Sequence, residues 1–387
     1  MRVAARVAAA PAARGRGARA PRRRVASAVS PARGGGAGAA LRRSGGGGGG
    51  GGGALAETLV LTSVPLAWGT WAVVNVLMLN VFVAAGVPPP PPPAINAGIQ
   101  AASLAALTAV CAARAVRTAG GRGASLPALS ALPGAFTLRG GAELGAWLFM
   151  GSSLQLYALT LTTASRVAFL VQATTVIVPM LEAALCRRAV SGRTWFACAM
   201  ATSGIALLSF GGGGAPASAL PPGHALGDAL ALTSAAFFAM HVVRLQGFAA
   251  ACVPLELAWV KAATQAALTL ALVLAGVAFG IFEVVPTLDG LAVAGPHTIA
   301  AVCALVAWNG VVPSAYTVWA QGFAQRAISA PRANLFYSAQ PLAAAALAAA
   351  FLGESLGAHG AAGGALIVGA CVIGGGADTD AEGRGSR

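Results

Sequence analysis

The chain has 387 residues, of which 57% are apolar and only 9% charged, with a mean hydropathy of +0.74. A soluble domain carries about 25% charged residues, so polar groups are too few to cover a water-facing surface and a lipid-embedded protein is expected. The formal charge of +14 does not point to nucleic acid: eleven of the 25 basic residues precede residue 57, and the other 14 are scattered against 11 acidic ones, which leaves no basic face for a phosphate backbone.

Residues 1–53 hold Arg2, Arg6, Arg14, Arg16, Arg19, the run Arg22 to Arg24, Arg33, Arg42 and Arg43 among Ala, Pro and Gly, with no acidic residue and no apolar core. That composition excludes an ordinary secretory signal and predicts an organellar transit peptide, with a processing point near Val25 to Ala28. A disordered basic arm held by anionic lipid is the alternative. The glycine run Gly45 to Gly53 is expected to be a flexible linker with no helix.

Ten apolar segments follow, at about 57–80, 94–113, 140–161, 166–186, 194–211, 226–248, 255–279, 298–320, 332–352 and 357–375. Each is long enough to cross ~30 Å of hydrocarbon at ~1.5 Å per residue, the shortest only just. Breakers separate them: the run Pro88 to Pro93, expected as an extended turn; Gly120, Gly121 and Pro127; and Gly211 to Gly214 with Pro221 and Pro222. Residues 376–387 are expected to form a disordered polar tail.

Basic residues should gather on one side of real spans. With the N-terminal side inside, the inside loops hold Arg114, Arg117, Arg122, Arg139, Arg187, Arg188, Arg193, Arg244, Arg326, Arg332, Arg384 and Arg387, and the outside loops hold Arg166 alone. Lys261 falls within the seventh span. This asymmetry supports ten spans with both termini on one side.

Ten spans divide into two sets of five, and an odd number per copy makes the copies inverted. Laying 163–210 over 329–376 without a gap pairs Arg166 with Arg332, Ala173 with Ala339 and Leu181 with Leu347. The loop after the fourth span, Cys186-Arg187-Arg188, is basic, whereas its counterpart Gly353-Glu354-Ser355 is acidic, as inversion requires. The expected fold is an all-α polytopic membrane protein of ten helices, with five-helix repeats at 57–211 and 226–375.

Four stretches carry a resemblance: Trp68-Gly69-Thr70; residues 162–188 (TTASRVAFLVQATTVIVPMLEAALCRR); residues 231–243 (ALTSAAFFAMHVV); and residues 324–357 (AQRAISAPRANLFYSAQPLAAAALAAAFLGESLG), with a glycine-rich last helix. Together they resemble the drug/metabolite transporter superfamily, and within it the EamA-type proteins. The best marker is Pro341 followed thirteen residues later by Glu354, a pattern absent from the first half, where Thr175 and Arg188 stand instead. The resemblance implies a carrier of small metabolites working by alternating access. Phosphate-exchanging relatives hold their substrate with basic residues in late helices, and this chain has none after Arg332, so phosphorylated sugars are disfavoured.

Polar residues inside apolar segments either line a solute path or join helices by hydrogen bonds. Asn309, Pro313 and Tyr316 stand at i, i+4 and i+7, with Trp308 adjacent; Asn334, Tyr337 and Pro341 repeat the spacing, flanked by Ser338 and Gln340. With Trp68, Asn75, Gln155 and Gln172 from the first half, these are the cavity candidates. Glu182 and His241 are the proton-coupling candidates. Glu182 has Arg187 and Arg188 near it in sequence, and His241 shares a helix face with Arg244. Lys261 is expected to reach for the interface, and Glu143 to meet a helix N-terminus.

Six isolated cysteines and four scattered histidines give no metal-ligand spacing, and no cofactor is expected. The expected partners are the lipid bilayer and a small solute, with a homodimer left open. A membrane enzyme, a channel or a structural protein is the rival reading. The arginine-rich start directs the expectation to an organelle membrane, with the plastid envelope ahead of the mitochondrion.

Overall fold

A computed structural model describes residues 50–118, 133–162, 164–185, 187, 189–210, 223–352 and 357–375. Among them there is no strand. The helices are α1 (Gly50–Ala84), α2 (Pro92–Thr118), α3 (Ala135–Leu161), α4 (Ala164–Val171), α5 (Thr174–Leu185), α6 (Gly192–Phe210), α7 (His224–Ala249), α8 (Pro254–Ala278), α9 (Val285–Ala294) and α10 (Pro296–Asn309). A π-helical turn (Gly310–Tyr316) continues into α11 (Thr317–Ala324), followed by α12 (Ala330–Tyr337), α13 (Gln340–Leu352) and α14 (Ala358–Gly375).

Seven stretches among the described residues are long and apolar enough to cross a membrane: Leu55–Ala84, Pro92–Arg117, Ala135–Leu161, Arg166–Leu185, His224–Ala249, Pro254–Ala278 and Pro296–Ala324. The expected fifth and tenth segments form the shorter helices α6 and α14, and the ninth is divided between α12 and α13. Large apolar side chains cover the outer surface while several polar ones are enclosed in a mainly apolar core. Leu59 (60% exposed), Leu274 (60%) and Val372 (71%) face outward, while Lys261 (0%), Asn309 (0%) and His241 (1%) are enclosed. An apolar outer surface with enclosed polar groups fits a multi-pass membrane protein.

Several local expectations need correction. Gly50 to Gly53 form the first turn of α1 rather than linker, because elongating an existing helix avoids the cost of nucleation that isolated glycines cannot meet. The proline run is extended only as far as Pro91. Pro92 and Pro93 begin α2, since a first helical turn needs no N–H donors and favours the fixed proline φ. The expected loop between the seventh and eighth spans contains α9, started at Pro286 and stopped at Gly295, whose φ is 88°. Residues 1–49 and 376–387, and with them the transit-peptide and polar-tail expectations, lie outside the described residues. So does Glu354.

Close helix contacts are set by glycine. On α3, a Cβ at Gly145 would lie 2.7 Å from the Lys261 carbonyl oxygen and one at Gly141 2.4 Å from Val260 Cβ, so α3 beds directly on α8. On the π-helical turn, a Cβ at Gly310 would lie 2.8 Å from the Ile99 oxygen of α2. The pair α6 and α14 meets reciprocally: Cβ atoms at Gly204 and Gly363 would lie 2.7 and 2.6 Å from each other's carbonyl oxygen. Lipid gives apolar helices little reason to leave it, so association rests on such close backbone packing.

The packing places α3 against α7 and α8, α1 against α10, α11 and α13, α2 against α8 and the π-helical turn, and α4 and α5 against α7. Two ion pairs tie α7 to its neighbours. Arg244 on α7 holds Glu143, with Nη2 to Oε2 at 3.0 Å; Arg166 on α4 holds Asp228 on α7, which also accepts from Thr162 Oγ1 at 3.2 Å. Glu143 therefore serves an interhelix pair in the third turn of α3, not the helix N-terminus. The Arg166–Asp228 pair is partly exposed, so Asp228→Asn should cost no more than about 1 kcal/mol, read as a small change in Tm of the purified protein.

Candidate functional site

A cavity of about 380 Å³ lies between helices of both expected halves, with no wall contributed by α6 or α14. It falls within the range of small-molecule sites. Its first-half wall has Trp68 and Trp71 of α1, Asn96 and Gln100 of α2, Ser152 and Gln155 of α3, and Gln172 and Thr174 at the α4–α5 junction. The second-half wall has Phe238 and His241 of α7, Gln265 of α8, Thr317 and Gln321 of α11, and Asn334, Tyr337, Gln340 and Pro341 of α12 and α13. Four aromatic rings and eight amides stand among aliphatic side chains, and no Asp, Glu, Lys or Arg is among the lining residues.

Two helix breaks shape this wall. Between α4 and α5 the chain tightens, with Gln172 N bonded to Phe169 O and Ala173 N to Leu170 O, each at 3.0 Å. The following run Thr174 to Val178 is β-branched and ends at Pro179, which makes straight continuation costly. Between α12 and α13 the bond from Ala339 N to Phe336 O (3.1 Å) does the same. Here Pro341 has no N–H for the Tyr337 carbonyl, and its ring excludes that carbonyl from a regular turn. Freed backbone at membrane depth is tolerated where it borders a cavity or is buried in protein.

Side-chain contacts fix the aromatic part of the wall. Trp68 Nε1 donates to Thr317 Oγ1 at 3.2 Å, and the Trp68 and Tyr337 rings meet edge to face with centroids 5.2 Å apart. Tyr337 Oη accepts from Gln325 Nε2 at 3.2 Å. Thr317 Oγ1 donates in turn to the Pro313 and Ser314 carbonyls, at 2.7 and 3.1 Å, tying its side chain back to the π-helical turn.

Of the expected cavity residues, Trp68, Gln155, Gln172, Asn334, Tyr337 and Gln340 come together in this wall, as does His241. Asn75 does not: it is half-buried outside the wall and its Nδ2 donates to the Trp71 carbonyl of its own helix. The expected Asn309, Pro313 and Tyr316 stripe is broken, because the intervening turn is π-helical and its wider turn rotates one face away from the other. Pro313 reaches the cavity, but Asn309 is buried outside the wall. Tyr316 Oη bonds Ser63 Oγ of α1, and Trp308 is half-exposed and donates to Thr70 Oγ1.

Glu182 is buried on α5 but does not line the cavity. His241 and Arg244 do not share surroundings: His241 faces the cavity, while Arg244 is turned out to Glu143. Lys261, expected to reach for the interface, is fully enclosed and its Nζ has no hydrogen-bond partner among the described residues. Gln100, Gln265 and Gln321 were missed as lining residues, although an amide inside an apolar segment is the very signal that identified Gln155 and Gln172.

This placement separates the variants. Gln172→Ala and Tyr337→Ala alter the wall and should weaken solute binding about ten-fold or more, whereas Asn75→Ala and Trp308→Ala should leave it within about two-fold. Equilibrium binding to the purified variants checks both.

No family model matches this chain, and no curated protein matches it. A solved crystal structure 18% identical in sequence superposes on it with a TM-score of 0.57, covering 82% of this chain and 96% of its own. The two chains share a fold.

Proposed function

We propose that this protein is a secondary carrier of the drug/metabolite transporter type, with ten spans in two inverted five-helix repeats, moving a small metabolite through the central cavity by alternating access. The observation that carries the reading is the coincidence of the two helix breaks. The ungapped overlay of 163–210 on 329–376 places the Gln172–Ala173 break on the Ser338–Ala339 break, and both border the cavity.

The packing supports two copies as well. Exchanging α1 with α7, α2 with α8, α3 with α10 and α11, α4 and α5 with α12 and α13, and α6 with α14 turns the principal contacts into one another. The α3–α7 contact becomes α1 against α10 and α11, the α4/α5–α7 contact becomes α1 against α12 and α13, and the α2–α8 and α6–α14 contacts map onto themselves. On this reading α6, α12 with α13, and α14 complete ten spans. At 19 residues, α6 reaches about 28 Å, enough for a thin bilayer or a modest local adjustment. A cavity between two repeats is the arrangement that rocking of one half against the other exposes to each side in turn.

The organelle assignment rests on the arginine-rich, acid-free start, and the plastid envelope leads. A fluorescent fusion carrying residues 1–53 should enter plastids, and diffuse cytosolic signal would refute it. Transport is tested by counterflow in proteoliposomes against a panel of weak acids, amino acids and nucleosides. Saturable exchange of at least one solute is expected; no exchange with demonstrably folded protein sinks the carrier reading.

A further inference from the structure

The polar groups around the cavity are unequally satisfied, and the inequality has a sign. His241 Nε2 and Asn334 Nδ2, both on lining residues, and Lys261 Nζ of α8 are buried with no hydrogen-bond partner among the described residues. Lys261 stands one helical turn before the lining residue Gln265, near enough to His241 for their positive charges to repel. Amide and ammonium nitrogens are donors, and an imidazole nitrogen can be one, so what the wall lacks is acceptors.

Among the described residues, the carboxylates of α3 and α8 supply Lys261 no countercharge, and the buried Glu182 stands on α5 outside the cavity wall. Gly141 and Gly145 of α3 press the α8 backbone at Lys261, yet the carboxylate of α3, Glu143, is engaged by Arg244. Glu256 of α8 is exposed, and no acidic residue lines the cavity. An enclosed amine without an acceptor is costly, and it persists where a ligand can supply the missing partner.

We propose that the cavity takes a small organic anion, an aromatic or apolar body with one carboxylate, and that the carboxylate seats toward the His241 and Lys261 end. Trp68, Phe238 and Tyr337 offer ring surface for the body, and the amides orient it. A cationic solute would meet donors and an amine with no carboxylate to offset it, and a dianionic phosphate would meet a single amine. The inference names the solute class for the proposed carrier and rests on that reading only for calling the occupant a transported solute; binding is a separate question.

The test uses the full chain in lipid nanodiscs and three probes of similar size: radiolabelled benzoate, with benzamide and benzylamine as competitors. Benzoate should bind about ten-fold or more tighter than either competitor, and Lys261→Met should bring benzoate to the benzamide level while raising Tm without solute, since an unpaired amine is removed. Benzylamine or benzamide binding as tightly as benzoate, no benzoate binding, or a preference that survives Lys261→Met overturns the inference. The wild-type selectivity decides even if the variant does not fold. Lys261-dependent benzoate binding without counterflow would refute the carrier reading alone, and counterflow of neutral solutes with no anion preference would refute this inference alone.

Discussion

Ser152→Trp should abolish exchange, lowering it by an order of magnitude or more, while the protein keeps its fold. Ser152 lies on α3 in the cavity wall, and its hydroxyl donates only to Phe149 O of its own helix, at 3.1 Å. Its loss therefore strands no partner. The indole projects into open volume and occupies a large part of a space of about 380 Å³, competing directly with any solute. Cys303→Trp makes the same increase in bulk at an exposed position on α10 outside the cavity wall and should leave exchange unchanged. Counterflow in proteoliposomes, with size-exclusion profiles to show folding, checks the pair.

The second large effect concerns the fold itself. Gly204→Leu or Gly363→Leu should destabilise the protein by about 3 kcal/mol or more, because each side chain enters where the opposite helix's carbonyl oxygen already stands. Backbone cannot move aside as a flexible side chain can, so α6 and α14 must separate. That separation also disturbs Cys198, Ala201, Leu335 and Ala370, the buried cluster the two helices share with α12. Gly247→Leu is the control: a Cβ there meets nothing within 4 Å, and replacing a helical glycine gains up to about 1 kcal/mol of propensity. Thermal unfolding in detergent should show a large downward shift in Tm for the first two and none for the third. Neither Gly204 nor Gly363 touches the cavity, so a loss of exchange in them would follow loss of fold.

Hydropathy made the helices legible because an apolar run of about 20 residues has few alternatives in lipid. Their internal breaks were less legible. The ninth segment was expected as one span, 332–352, although Pro341 stands where it divides, whereas the α4–α5 break has its proline at Pro179, seven residues past Gln172, and shows only when the two halves are laid together. The π-helical turn at Gly310–Tyr316 was invisible to a count of i, i+4 and i+7, which assumes a constant 3.6-residue period; one wider turn was enough to send Asn309 and Tyr316 away from Pro313. Intramembrane polarity found Gln155, Gln172, Asn334 and Gln340 but could not tell them from Asn75, whose amide is satisfied within its own helix. Lys261 was misread because a long side chain's direction depends on what surrounds it, and here α3 comes close through two glycines and encloses it.

The central claim is that one cavity opens to both sides of the membrane in turn, and Gln172, at the α4–α5 break, is the place to measure it. With the six native cysteines replaced and Gln172→Cys introduced, an impermeant maleimide added to one side or the other of oriented vesicles reports access. Labelling from each side, with solute changing the two rates in opposite directions, is the predicted result; labelling confined to one side under every condition would contradict it.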